Sequence, residues 1–579
     1  MVNESGTDVN VADDWRSTMM ANSARDPFFL AKAEHEVLVN PGHQVAIENK
    51  CLSCHAPLGM HEERLLDHPP FTLAMLDTSV MGQEGVSCLA CHQQIPDSAG
   101  RFFSGELHFG PEPANAGALV YGPYADDEIN SAIMEFFVGF KPGYGEHIQD
   151  GRVCAGCHSL ITETLDLDGN ETGGEFIEQA TWHEWKNSNY TTDANTTCRG
   201  CHMPRIEDPI ILASEYAFLQ GHSPFGLHHL AGGNTMMLRL MKANRQQLGI
   251  PATDTQFDST IARSIRQLHS SVDLSLSITG RTADTAFIEA RLINLAGHKF
   301  PSGYPSRRAI VQVIATNEAG DTLFQSGRWD GTNEVFGHDT GYEPHYDVIT
   351  QADQVQLYEL VMGDVNGNVT TVLERAATAI KDNRLVPQGF STSHSAYDTT
   401  RIEGVPASDL DFNHDALGTE GNGGDIVHYH IALNGYSGDL HVQARVYYQP
   451  VPPLWNAEMF SNHSAAIDTF RTMYAEADGT PELVAIDSLL DISSGLGEPS
   501  LDALRVYPNP SSDGIIHIPG SSIDRISVFD VAGRRVPVEP RYRSNTWTCR
   551  LPDAEGVYHI VIATASGDRL LRVVRSNER

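Results

Sequence analysis

One five-residue word occurs four times in the first 202 residues: Cys51-Leu-Ser-Cys54-His55, Cys88-Leu-Ala-Cys91-His92, Cys154-Ala-Gly-Cys157-His158 and Cys198-Arg-Gly-Cys201-His202. Together they use eight of the nine cysteines and leave only Cys549 outside. With 9 Cys and 26 His in 579 residues, random placement predicts roughly 0.006 copies of Cys-x-x-Cys-His. The spacing suits a specific chemistry. Two thiols add to the two vinyl groups of one porphyrin while the adjoining imidazole meets the iron, so each word reads as a c-type haem attachment site. Cys51, Cys54, Cys88, Cys91, Cys154, Cys157, Cys198 and Cys201 would tether four haems, and His55, His92, His158 and His202 would be the proximal ligands.

Two other readings use the same cysteines. Structural zinc also pairs Cys-x-x-Cys elements, but has no reason to place His after every second Cys. A disulfide framework needs partners elsewhere, and only Cys549 is available. Covalent haem implies assembly outside the cytoplasm. The chain opens Met1-Val-Asn-Glu-Ser-Gly6 with neither a basic nor an apolar leader region, so it reads either as a mature form or as one whose start lies upstream. No run of 18 apolar residues occurs, so no transmembrane helix is expected.

Charge is distributed unevenly. The net charge is −36; residues 501–579 carry 11 Arg, no Lys, 6 Asp and 3 Glu and are net +2, which leaves −38 on residues 1–500. A body this acidic argues against nucleic acid or an anionic membrane as partner, and suits cationic partners or solubility in salt.

The fold class expected is multidomain: a mainly helical and irregular haem-packed region, then a β-sandwich, then a small all-β module. The boundaries read as 1–240 for the tetrahaem domain, 241–270 for a helical connector, 271–455 for the sandwich, 456–500 for a helix and linker, and 501–579 for the last module. Apolar patterning is weak before residue 240, as expected where porphyrins supply the core. Helices are predicted from Trp15 to His35, Asp127 to Phe137 and Asp258 to His269. From Val272 the period becomes two, predicting strands at Val272–Ile278, Ala286–Leu292, Ala309–Ile314, Val355–Leu360 and Leu440–Tyr447. A linker is expected at Ser493–Pro499.

The last module, with Val506-Tyr507-Pro508-Asn509-Pro510, Val528-Phe529-Asp530-Val-Ala-Gly533-Arg534-Arg535 and Gly556-Val-Tyr558, resembles the C-terminal sorting domain of type IX secretion substrates. That resemblance implies the type IX machinery as a partner and a destination at the cell surface or in the medium; without it, the periplasm is expected. The haem region, with Glu84-Gly85-Val86-Ser87-Cys88, Cys198-x-x-Cys201-His202-Met203-Pro204 and Glu178-Gln179-Ala180-x-x-x-Glu184-Trp185, resembles multihaem cytochromes of the cytochrome c-554/c-prime class. Segments Gly297-His298-Lys299-Phe300-Pro301-Ser302-Gly303 and Lys381-Asp382-Asn383-Arg384-Leu385 resemble the β-domain often fused to them. The class implies electron transfer through closely packed haems, some with two His ligands and sometimes one five-coordinate.

Four irons leave four distal positions. Candidates are His35, His147, His183, His228 and His298, with His222, His229, His43, His61, His68 and His108 behind them. His298 differs from the rest because it sits in a Gly/Pro-bounded loop of the β-domain; a ligand reaching back from there would dock two domains together. Asp409-x-Asp411-x-Asn413-x-Asp415 with Glu420 at the twelfth position reads first as an acidic solvated turn and second as a calcium loop, whose ligand spacing it has although His414 stands where Gly is required. Asp166-Leu-Asp168-Gly169-Asn170 reads as a hairpin turn.

The function expected is electron transfer by an exported tetrahaem cytochrome working with redox partner proteins or an extracellular acceptor. One alternative is an oxidoreductase acting on a small nitrogen or sulfur compound at an open haem, although no Cys-x-x-Cys-Lys word is present. The other is a surface binding protein whose haems only wire it.

Overall fold

The computed structural model describes residues 1–579 except 111–117, 194–195, 214–215, 217, 337–340, 492–505, 510, 520–522, 531–533, 544–545, 565–566 and 577–579. The chain forms two compact units, Met1–Ile492 and Ser493–Arg579. The expected linker at 493–499 lies outside the described residues.

The long helix predicted from Trp15 to His35 is instead two helices, Val11–Trp15 and Pro27–Val39, with turns between. Pro27 explains the break. It lacks an N–H and clashes inside a helix but suits the first turn, and Asp26 caps that turn by accepting from the Phe28 N–H at 2.9 Å. The helix predicted from Asp127 is confined to Ser131–Val138 and ends at Gly139 in the left-handed region. The one predicted from Asp258 starts a turn earlier, at Asp254, because Thr253 and Gln256 form a capping box. Asp166 accepts from the Asp168 and Asn170 N–H groups, and Gly169 takes φ 81°; the turn closes the hairpin Leu160–Leu165/Glu171–Gln179.

Four of the five period-two segments lie within strands, and the strand expected at Val355–Leu360 begins at Leu357. One sheet has the order Thr378–Asp382, Leu357–Gly363, Arg308–Thr316, Leu440–Gln449, Glu482–Asp491, with Thr322–Ser326 also paired to Arg308–Thr316. The other runs Val348–Ile349, Gly424–Ala432, Thr285–Asn294, Val272–Arg281. Alternate residues enter one shared core: Ile288 and Leu292, Val311 and Val313, Val427 and Tyr429, Val442 and Val446. Residues 456–491 hold more than a helix and linker, because Glu482–Asp491 is an edge strand of the first sheet.

Helix Pro27–Val39 also packs against elements far along the chain. Phe28 and Ala31 meet Met236, Met237 and Leu240 of helix Thr235–Ala243, and Ile467 and Phe470 of helix Ala465–Glu476. Truncating a fully buried aromatic such as Phe470 to Ala costs about 3–5 kcal/mol. The four words and both sheets therefore belong to one compact unit.

The C-terminal unit has one sheet ordered Ile515–Pro519, Thr546–Arg550, Arg541–Arg543 and another ordered Arg535–Val536, Ile523–Asp530, Gly556–Thr564, Gly567–Arg575. Ile516, Val528, Cys549, Ile560 and Val573 share its core, so Cys549 is a packed thiol. Among the described residues no helix is long and apolar enough to cross a membrane.

Candidate haem sites

Each word takes a helical turn, which brings its two cysteines to one face with the histidine alongside. The first word closes helix Gln44–His55, the second and fourth are the five-residue helices Cys88–His92 and Cys198–His202, and the third begins within Arg152–Ala155. All nine cysteines are free thiols. The Cys54 and Cys157 thiols are close enough to hydrogen-bond, as are those of Cys154 and Cys198. The third word thus adjoins both the first and the fourth. Among the described residues no word contributes to a group of three His, Cys, Asp or Glu ligand atoms within 4.8 Å, so the zinc alternative finds no cage.

The word histidines are oriented by backbone carbonyls. Nδ1 of His55 lies 3.1 Å from the Ser23 carbonyl, that of His92 2.5 Å from Tyr121, and that of His202 2.6 Å from Ala231. A carbonyl only accepts, so Nδ1 carries the hydrogen and Nε2 keeps a free lone pair, the tautomer an iron ligand needs. Desolvation pushes His55 down to about 4 and lowers His92 and His202 as well, so these three are neutral near pH 7, while His158 is exposed. Phe29 stacks on His55 at 3.7 Å between ring centres, 7° from parallel.

Two further histidines face word histidines across a gap. His228 stands 6.3 Å from His92 between ring centres with planes 19° apart, and its Nδ1 meets the Gly226 carbonyl at 3.1 Å. His298 stands 6.3 Å from His202 with planes 10° apart, its Nδ1 2.8 Å from the Lys299 carbonyl.

The other candidates are placed differently. His35 is fully buried, with Nδ1 3.3 Å from Lys32 Nζ and an unpartnered Nε2. His147 commits Nε2 to the Gln94 carbonyl at 2.8 Å and has an unpartnered, buried Nδ1. His183 meets Ser159 Oγ at 3.1 Å. His43 bonds the Gly169 carbonyl, His68 pairs with Glu63 and His108 with Glu106. His61 packs on Phe109, His222 on Tyr124, and His229 lies 3.9 Å from Asp14.

The calcium-loop expectation fails because its side chains diverge. Asp409 takes a hydrogen bond from His345 Nε2 at 2.7 Å within a buried His345–Asp409–Asp425 group, while Asp411 joins Asp347 and His428 in another. Asn413 adopts φ 60°, Asp415 caps Leu417 and Thr419, and Glu420 accepts from Ser391 and Thr392.

Sequence reasoning missed the polar group that seats the Gly297–Gly303 loop. Buried Glu184 accepts from Ser302 Oγ at 2.6 Å and from the Lys299 N–H at 3.2 Å, and lies 3.1 Å from Arg384. Lys299 Nζ donates to Asp382 at 2.7 Å, and Arg384 grips Asp382 with two bonds of 2.7 Å. The quoted words Glu178–Trp185, Gly297–Gly303 and Lys381–Leu385 contained these residues, but not their convergence. A second missed group surrounds Cys51: buried Glu178 leaves an oxygen unpartnered, and partly buried Tyr304 and the Glu36 carboxylate act electrostatically on the same group. Burial first, then the Glu36 and Glu374 carboxylates, push Glu178 up to about 8.

No family model matches the chain, and no curated protein matches it. Among solved structures it is similar to a penta-heme cytochrome c552 from Thermochromatium tepidum, at 15% identity and TM-score 0.43, covering 83% of this chain and 95% of that one. It is also similar to HBP35 of Porphyromonas gingivalis at 12% identity and TM-score 0.14, covering 56% and 70%. These values lie below those from which a shared fold or function follows.

Proposed function

We propose that the chain is an exported electron carrier holding four covalent haems, the eight word cysteines as tethers and His55, His92, His158 and His202 as proximal ligands. The observation that carries this is the fourfold Cys-x-x-Cys-His word. Bound haem supplies one-electron iron chemistry. The protein's own part is to hold the imidazoles of His55, His92 and His202 in the ligating tautomer and to seat the third word beside the first and fourth. His228 is proposed as the distal ligand opposite His92, on the strength of their facing geometry. His35, with its buried unpartnered Nε2, is proposed as a ligand for another iron, with buried His147 and partly buried His183 as further candidates.

Export follows from the chemistry of haem attachment, and the type IX machinery is proposed as a partner from the motifs of residues 501–579. Redox proteins or an extracellular acceptor would exchange the electrons. A second reading, catalysis on a small nitrogen or sulfur compound, is favoured by one observation: Glu178 presents a buried, unpartnered oxygen beside the first word, where a proton donor for bound substrate would stand. A pyridine haemochrome count with a redox titration in the presence and absence of CO tests both. Four low-spin haems indifferent to CO support the carrier, one CO-binding haem moves catalysis ahead, and a count below four defeats the assignment of the words.

A further inference from the structure

We infer that the β-sandwich supplies an iron ligand: His298 is the sixth ligand of the iron bound by His202. This rests on the haem reading above and adds a second site to it. Parallel rings in contact lie close, as Phe29 and His55 do at 3.7 Å. At 6.3 Å between centres the nearly parallel His202 and His298 rings are too far apart for the close ring contact that Phe29 and His55 make. Two metal–imidazole bonds of about 2.0–2.1 Å, plus about 1.1 Å from each nitrogen to its ring centre, place the centres about 6.3 Å apart. The gap has the width of one metal ion. Both rings also give Nδ1 to a carbonyl, Ala231 for His202 and Lys299 for His298, which leaves both Nε2 atoms as acceptors. The His92–His228 pair repeats the same spacing and the same hydrogen-bond pattern within the N-terminal region.

The loop is built to hold that ring still. Asn294 Nδ2 donates to the His298 carbonyl at 2.7 Å, Glu184 takes the next backbone N–H, and Lys299 is anchored on Asp382. Gly303 turns back at φ 85°, and Arg307 reaches the Ser302 carbonyl at 2.6 Å, where a side chain on residue 303 would meet its guanidinium. The ligand is thus pre-positioned from the sheet side, and the fourth haem becomes six-coordinate only when the sandwich has folded.

The test uses the full haem-loaded chain. In His298→Gly the haem count should equal wild type while one ferric low-spin signal in electron paramagnetic resonance becomes high-spin and returns to low spin with added imidazole, and after reduction one haem binds CO. His298→Met, which keeps a donor atom, should stay low-spin and raise the midpoint of one haem. A wild-type count of four with all haems low-spin and CO-inert in His298→Gly, or with all midpoints unchanged in His298→Met, overturns the inference while leaving the haem reading intact. A wild-type count of zero overturns both.

Discussion

Neutralising Glu184 tests whether the polar group under the Gly297–Gly303 loop stabilises the unit. In Glu184→Gln the side chain keeps its shape and one acceptor oxygen. Its bonds from Ser302 Oγ (2.6 Å) and the Lys299 N–H (3.2 Å) lose their charge assistance, about 1 kcal/mol each. Lys299 and Arg384 stay buried and share Asp382 as their carboxylate partner. Orphaning a buried charge outright costs about 3–5 kcal/mol, so retaining Asp382 reduces that share to about 1 kcal/mol. The total is about 3 kcal/mol. For a unit spanning Met1–Ile492, the unfolding entropy is about 1 kcal/mol/K, so Tm should fall by about 3 °C. Calorimetry of haem-loaded protein at pH 7 reads this directly. Asp398→Asn is the control, because its pair with Arg401 is exposed (56% and 85%) and should matter little. A fall in Glu184→Gln no larger than the control's refutes the reasoning.

Two further outcomes depend on protons. Glu178, pushed up to about 8 beside Cys51 and Cys54, is protonated below that pH; reduction of the haem at the first word adds negative charge and favours the proton. The midpoint of that haem should fall as pH rises through about 8, by at most about 59 mV per tenfold change in proton activity for one electron, and the slope should vanish in Glu178→Gln. Burial alone would raise the Asp382 carboxyl, but Arg384 and then Lys299 overcome it and hold it down to about 2, against an ordinary 3.8. A depressed acid stabilises above its unfolded value and loses that contribution as pH falls through the folded one. About 2 kcal/mol should therefore be present at pH 5 and lost near pH 2 in denaturant titrations, and Asp382→Asn should lose it already at pH 7.

What the sequence determined by itself is what depends on near neighbours along the chain. The four words were legible from spacing alone, because each cysteine pair and its histidine lie within five consecutive residues. The five strands were legible because Ala286–Leu292 and its fellows alternate toward a core on one face. Pro27 and the Thr253–Gln256 box show where local signals outrank a longer apolar pattern, and they moved two helix starts away from where periodicity put them. The Asp409–Glu420 string failed for the opposite reason: its spacing fitted a loop whose side chains converge, whereas Asp409 and Asp411 point to histidines on other segments. Only the tertiary structure could decide which imidazoles face each other. His202 and His298 are 96 positions apart in the chain, and their approach depends on Glu184, Lys299, Asp382 and Arg384 converging from three separate segments, a result of packing and buried charge that no local pattern encodes.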